Sequence, residues 1–213
     1  MKADERKLRL EMVAKTIEAR AIREPEILSA MRTVPRHEFV PPEERAHAYE
    51  DRPLPIGHRQ TISQPYIVAL LAQLCELRGG ERVLEVGTGS GYQAAVLAEI
   101  ADSVYTIEIV EPIARRAAET LKRLHYDNVH CRFGDGAEGW PGVGPFDAIV
   151  ITAAPKRDVP APLLRQLSDG GRLIAPVGDD EQRLLVFERK GNRFRKRLGD
   201  AVRFVPLTGQ HAG

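Results

Sequence analysis

The chain has 213 residues, of which 43% are hydrophobic and 29% charged, with a formal net charge of +1. These values suit one globular domain and exclude a chain drawn to nucleic acid or anionic lipid by charge alone. The charged first ten residues contain no apolar stretch of signal-peptide type, the apolar runs at 67–72 and 149–154 are too short to cross a bilayer, and Cys75 and Cys131 form no CxxC pair. A cytoplasmic protein without a metal site or disulfide framework is expected.

In the first twenty residues Leu8, Met12, Val13 and Ile17 fall at helical spacing among charges. A short helix is expected over 25–31. Residues 34–51 are interrupted by Pro35, Pro41 and Pro42, with Pro53 and Pro55 close behind, and read as extended loop. A helix then opens near Pro65 and carries Ile67, Leu70, Leu71 and Leu74. From Arg82 short apolar runs alternate with helical stretches: strands at 83–86, 104–107, 129–133, 146–151 and 173–177, helices at 92–100, 112–123 and 159–167. That alternation predicts a mostly parallel, doubly wound α/β sheet of Rossmann-like type. Beyond Gly178, strands at 183–188, 194–198 and 202–205, the first two joined at Lys190-Gly191-Asn192, are expected to extend the sheet in antiparallel fashion. The reading is one domain over 1–213: a helical and loop extension (1–80), a ligand-binding core (81–178) and C-terminal strands (179–213).

The sharpest motif is Glu85-Val86-Gly87-Thr88-Gly89-Ser90-Gly91, between a strand and a helix. Its glycines allow a tight turn and close approach of the backbone to a ligand, and the following helix offers free amides to an anionic group. Glu108 follows at the end of the second strand, where a carboxylate can accept from both hydroxyls of a ribose. The spacing is GxGxG rather than the GxGxxG suited to a pyrophosphate, and no GK[ST] is present. An acid two residues before the first glycine suits a cationic ligand. S-adenosylmethionine has a sulfonium, an ammonium, a carboxylate and a ribose, and no phosphate. Gly134-Asp135-Gly136, after the third strand, stands where Asp135 can accept from an adenine amino group. Read alone, the glycine loop is also compatible with a purely structural turn.

After the fourth strand comes Thr152-Ala153-Ala154-Pro155. An Asn/Asp-Pro-Pro-aromatic motif for base amines is absent, and the small side chains leave room for a backbone-like acceptor. Thr61 and Ser63 present two hydroxyls ahead of the helix at Pro65, and Ser63 by residue type is also a good N-cap. Trp140, His37, His58 and Cys75 read as packing or loop residues, and the basic cluster at 189–197 as a solvated face.

The sequence resembles the protein-L-isoaspartate O-methyltransferase family over nearly its whole length. The resemblance is carried by Val34-Pro35-Arg36-His37 through Phe39-Val40-Pro41, Tyr49-Glu50-Asp51, Pro53-Leu54-Pro55-Ile56-Gly57, Thr61-Ile62-Ser63 with Pro65, the Glu85–Gly91 loop, Gly134-Asp135-Gly136, Gly170-Gly171-Arg172-Leu173-Ile174, Pro176-Val177-Gly178 and Arg203-Phe204-Val205-Pro206-Leu207. It implies a class I S-adenosylmethionine-dependent methyltransferase acting on the α-carboxylate of isoaspartyl residues in damaged proteins and peptides. It maps the catalytic serine onto Ser63 and substrate contacts onto Thr61, Ile62, Ser63, Val205 and Leu207. Cofactor contacts map onto Ile56, Gly57, Glu85, Gly87, Gly89, Gly91, Glu108, Asp135 and Gly136. A monomer is expected, with no nucleic-acid or membrane partner. Rival readings are a small-molecule or RNA methyltransferase on the same scaffold, a cofactor-binding regulatory module, and a nicotinamide-dependent reductase, the last disfavoured by the glycine spacing.

Overall fold

The computed structural model describes residues 2–209. Seven strands form one sheet in the order β5-β4-β3-β6-β7-β8-β9. They are β3 (Arg82–Val86), β4 (Ser103–Glu108), β5 (Val129–Phe133), β6 (Phe146–Ile151), β7 (Leu167–Val177), β8 (Gln182–Lys190) and β9 (Arg193–Val202). The pairs from β5 across to β7 are parallel, and β8 and β9 add antiparallel. The central strand β3 is almost wholly buried, as a parallel strand covered on both faces must be.

Alternate residues of the strands feed two cores. Val83, Val104, Val150 and Ile174 join the helices α2 (Pro25–Thr33), α3 (Pro65–Cys75) and α4 (Tyr92–Ala98) on one face. Leu84, Ile107, Ile149 and Leu173 pack with Leu163 of α6 (Ala161–Arg165) on the other. Helix α5 (Glu111–Arg123) shows how sequence sets an element: Pro112 and Glu111 open it, Lys122 and Arg123 sit in its last turn, and its apolar face buries Ile113, Ala117 and Leu121. The chain leaves β3 toward β4 and later returns to the other side of β3 as β6, so a crevice opens at the carboxyl end of β3.

Several details differ from the sequence reading. Strand β7 begins at Leu167, where the helix expected over 159–167 has already ended at Arg165. Residues 34–51 are wound rather than extended, with 3-10 turns at Arg36–Phe39 and Pro42–His47. Proline at a first helical position loses no hydrogen bond, so Pro42 starts a turn instead of breaking one. Two short antiparallel strands, β1 (Leu54–Gly57) and β2 (Gln60–Ile62), were not expected. Pro55 obscured the first, and the turn uses His58 and Arg59 at φ 50° and 59° where Asn-Gly is usual. Residues 202–205 form no strand of their own; β9 runs unbroken to Val202 and the chain beyond makes only a bridge, Pro206 to Ala154. Ser63 is not the N-cap of α3; Gln64 holds that place. At the N-terminus α1 (Lys2–Met12) continues through a π turn, Val13–Ile17, which buries Val13 and Ile17. Among the described residues no helix is long and apolar enough to cross a membrane.

Candidate active site

A cleft of about 780 Å³, counting its open mouth, lies at the carboxyl end of β3. Its floor is the glycine loop. The amides of Gly87 and Thr88 donate to the Ile107 carbonyl at 2.8 and 3.2 Å, which ties the loop to β4. Gly87 has φ 98°, and a Cβ there would lie 2.4 Å from the Thr152 hydroxyl oxygen. That hydroxyl donates to the Gly87 carbonyl at 2.5 Å, so β6 holds the loop from its other side.

Glu108, the last residue of β4, is buried against the loop it supports. Its Oε2 accepts from the Gly89 amide at 2.9 Å and its Oε1 from the Val110 amide at 3.0 Å. Each carboxylate oxygen has a further lone pair for a ligand hydroxyl.

Glu85 has no solvent exposure. Its Oε2 accepts from the Thr106 hydroxyl at 2.5 Å, and Thr106 lies 2.7 Å from the Thr88 hydroxyl. Its Oε1 has no partner. Burial pushes this carboxyl up to about 8, against the smaller opposing pull of the Thr106 hydrogen bond and with a small push from Glu108.

The facing wall comes from β2 and the start of α3. Thr61, Ile62 and Ser63 all line the cleft. Asp51 fixes this segment, accepting from the Gln64 amide side chain at 2.8 Å and the Tyr66 backbone N–H at 3.4 Å, and pairing with Arg20 at 2.6 Å. Asp51 therefore supplies the capping carboxylate of α3 that Ser63 does not, leaving the serine hydroxyl on the cleft wall. The third wall is the chain after β9. Ala154 donates to the Val205 carbonyl and accepts from the Leu207 amide, both at 2.8 Å, which brings Val205, Pro206, Leu207 and Thr208 to the cleft.

Of the expected site residues, Thr61, Ile62, Ser63, Glu85, Gly87, Gly89, Glu108, Gly136, Val205 and Leu207 line this one cleft. Ile56, Gly57, Gly91 and Asp135 do not. Ile56 is fully buried behind the loop, its carbonyl held by Arg116, with Cδ1 3.8 Å from where a Gly89 Cβ would stand. Gly57 is exposed at the hairpin end, and Gly91 packs against Leu121 at the start of α4. Asp135 accepts from the Ala137 amide at 2.9 Å, and a Cβ on Gly209 would fall 2.5 Å from its carboxylate. Thr106 and Gln93 were not singled out from sequence, and Thr88 and Thr152 were read only as members of their segments, since lone hydroxyls and amides carry no spacing signal. Trp140 packs edge-on to Tyr105 at 5.3 Å, as a packing residue would. Among the described residues no cluster of side chains is arranged to hold a metal.

Residues 7–212 match the family model described as protein-L-isoaspartate(D-aspartate) O-methyltransferase. The chain belongs to this family. A protein-L-isoaspartate O-methyltransferase from Opitutus terrae is 56% identical over 200 residues, covering 92% of this chain and 85% of that protein. One from Gloeobacter violaceus is 53% identical, covering 92% and 97%. Among solved structures, a protein-L-isoaspartate O-methyltransferase superposes with a TM-score of 0.84 at 29% identity, over 97% of this chain and 67% of that one. A Plasmodium falciparum protein described under the same activity, in complex with S-adenosyl-L-homocysteine, gives 0.81 at 27% identity, over 96% and 98%. The mostly parallel sheet with its antiparallel end is thus the Rossmann-like methyltransferase fold of the protein-L-isoaspartate O-methyltransferases.

Proposed function

We infer that this chain transfers a methyl group from S-adenosylmethionine to the α-carboxylate of L-isoaspartyl residues in damaged proteins and peptides. The observation that carries the reading is one cleft joining a ribose-type carboxylate, Glu108, to the Thr61-Ile62-Ser63 wall of a family member. The residues fit the methyl donor: Glu85 offers a buried, unpartnered acceptor suited to a cation, Glu108 has acceptor capacity for two hydroxyls, and the glycine loop places backbone rather than side chains on the cleft floor. When bound, S-adenosylmethionine supplies an electrophilic methyl.

The acceptor needs little activation. A backbone-type α-carboxyl has a reference pKa of about 3.3–3.7 and is ionised near pH 7 without a general base. The protein's task is alignment, and proximity can supply about 7–11 kcal/mol of the barrier. Ser63 donates a hydrogen bond to one carboxylate oxygen and leaves the other free to attack. Thr61, Ile62, Val205 and Leu207 hold the flanking peptide. Gly136 on the cleft wall with Asp135 beside it, Ile56 behind the loop and Gly57 at the hairpin end frame the adenosine end. The methyl ester then closes to a succinimide without further help, and ring opening returns some normal aspartate. The Lys/Arg-rich exposed edge strand β9 resists pairing with the edge of a second copy, which supports a monomer acting on peptide and protein partners.

Two synthetic peptides, identical except for isoaspartate in place of aspartate, test the activity with labelled S-adenosylmethionine. Base-labile label is expected on the isoaspartyl peptide alone; equal label on both, or none on either, overturns the substrate. Ser63→Ala is expected to lower the rate roughly ten- to a hundred-fold, the size of one charge-assisted hydrogen bond of about 1.5–3 kcal/mol. Steady-state rates with intact-mass analysis check this. An unaltered rate removes Ser63 from the mechanism, and a covalent adduct on the wild type replaces the hydrogen-bonding role with a nucleophilic one.

A further inference from the structure

Among the described residues, two buried side-chain acceptors have no hydrogen-bond partner: Glu85 Oε1 and Gln93 Oε1. Both residues line the same cleft. Gln93 is the second residue of α4 and only 7% exposed. A buried acceptor left unpaired gives up its hydration for nothing, and an apolar side chain of similar length would fill this site without that cost.

The orientation of the Gln93 amide is set by its surroundings. Its Nε2 faces the Val68 carbonyl at 3.4 Å. A carbonyl only accepts, so turning the amide over would bring two acceptors together. Oε1 is therefore the atom left over. The Glu85 carboxyl has its other oxygen engaged by Thr106. The cleft thus holds one buried carboxylate oxygen and one buried amide oxygen, neither satisfied by the protein. A ligand atom with several N–H donors and a positive charge matches that pair. A hydroxyl has one proton to give, and a ligand carboxylate has none when ionised.

We propose that Gln93 is a binding residue for the α-ammonium of the methyl donor, which it grips together with Glu85. The proposal rests on the cofactor reading above and adds a residue to it. Gln93 contributes a neutral dipole where Glu85 contributes charge. Its effect falls on the ammonium alone, since its amide nitrogen is turned to Val68.

Calorimetric titration with two ligands tests this: S-adenosylhomocysteine, and its deamino analogue in which hydrogen replaces the α-ammonium. Wild type is expected to prefer S-adenosylhomocysteine. Gln93→Met should weaken S-adenosylhomocysteine binding roughly ten- to a hundred-fold and leave the deamino analogue within about threefold, so that the preference collapses. Equal weakening of both ligands, or an unchanged preference, overturns the proposal and leaves the cofactor reading standing. Failure of wild type to bind either ligand overturns the cofactor reading itself. If Gln93→Met does not fold, Gln93→Glu decides: it must prefer the ammonium ligand more strongly than wild type, and a preference equal to or below wild type rejects the role.

Discussion

Glu108→Ala is expected to weaken S-adenosylhomocysteine binding by roughly two to four powers of ten. The wild-type carboxylate offers charge-assisted acceptors to two ribose hydroxyls, each worth about 1.5–3 kcal/mol. It also holds the Gly89 and Val110 amides, so its loss frees the loop on which the ligand rests. Glu108→Gln keeps one acceptor oxygen and should fall between the two. Calorimetric Kd values measure the loss, and thermal melts of the ligand-free variants separate loop support from ligand contact. A loss of less than tenfold for Glu108→Ala would remove the ribose from this residue.

The second large effect is a pH dependence. The folded-state value of Glu85, about 8, stands well above that of an ordinary carboxyl. Below the ordinary range the group is protonated in both folded and unfolded chains, and nothing is lost. Between there and about pH 8 the unfolded chain gives up the proton while the folded chain keeps it. Stability from this site therefore falls as pH rises, by about 1.4 kcal/mol per pH unit where the difference is one full proton, and levels off above about pH 8. Glu85→Gln stays neutral throughout. Ligand-free wild type and Glu85→Gln should melt alike near pH 4.5, with the variant progressively more stable toward pH 8. Parallel stability curves across that window would mean that Glu85 is ionised in the folded protein without cost. A ligand ammonium beside the carboxyl favours its charged form, so saturating S-adenosylhomocysteine should flatten the wild-type curve.

The parts of this architecture legible in sequence were those with a period or a fixed spacing. Alternating β and α segments predicted the parallel sheet, and the positions of Glu85, the three glycines and Glu108 predicted where its crevice would bind. The hairpin at 54–62 was hidden because its strands are four and three residues long and the first contains a proline. The wound stretch at 36–47 was hidden because proline breaks a helix in its interior yet starts one at its first position. Ser63 stands on the cleft wall, but its local setting was not legible. A serine before a proline-opened helix is a sound N-cap by residue type, and only the arrival of Asp51 from twelve positions earlier shows why it is spared that task. Gln93 was silent for a similar reason: its meaning lies in an atom without a partner, and partners are a property of three dimensions.

The tail that passes Ala154 serves the core and the cleft at once. Every strand of the sheet is complete by Val202, yet a full wall of the cleft is built from Val205 to Thr208. The same stretch buries Leu207 in the core that Leu163 and Leu173 share, packs Phe204 on the opposite core, and exchanges two hydrogen bonds between the Phe204 backbone and the Gln182 side chain. Shortening the chain here would therefore loosen the edge of the sheet and open the cleft together, so the end of the molecule can vary little without both stability and site geometry feeling it.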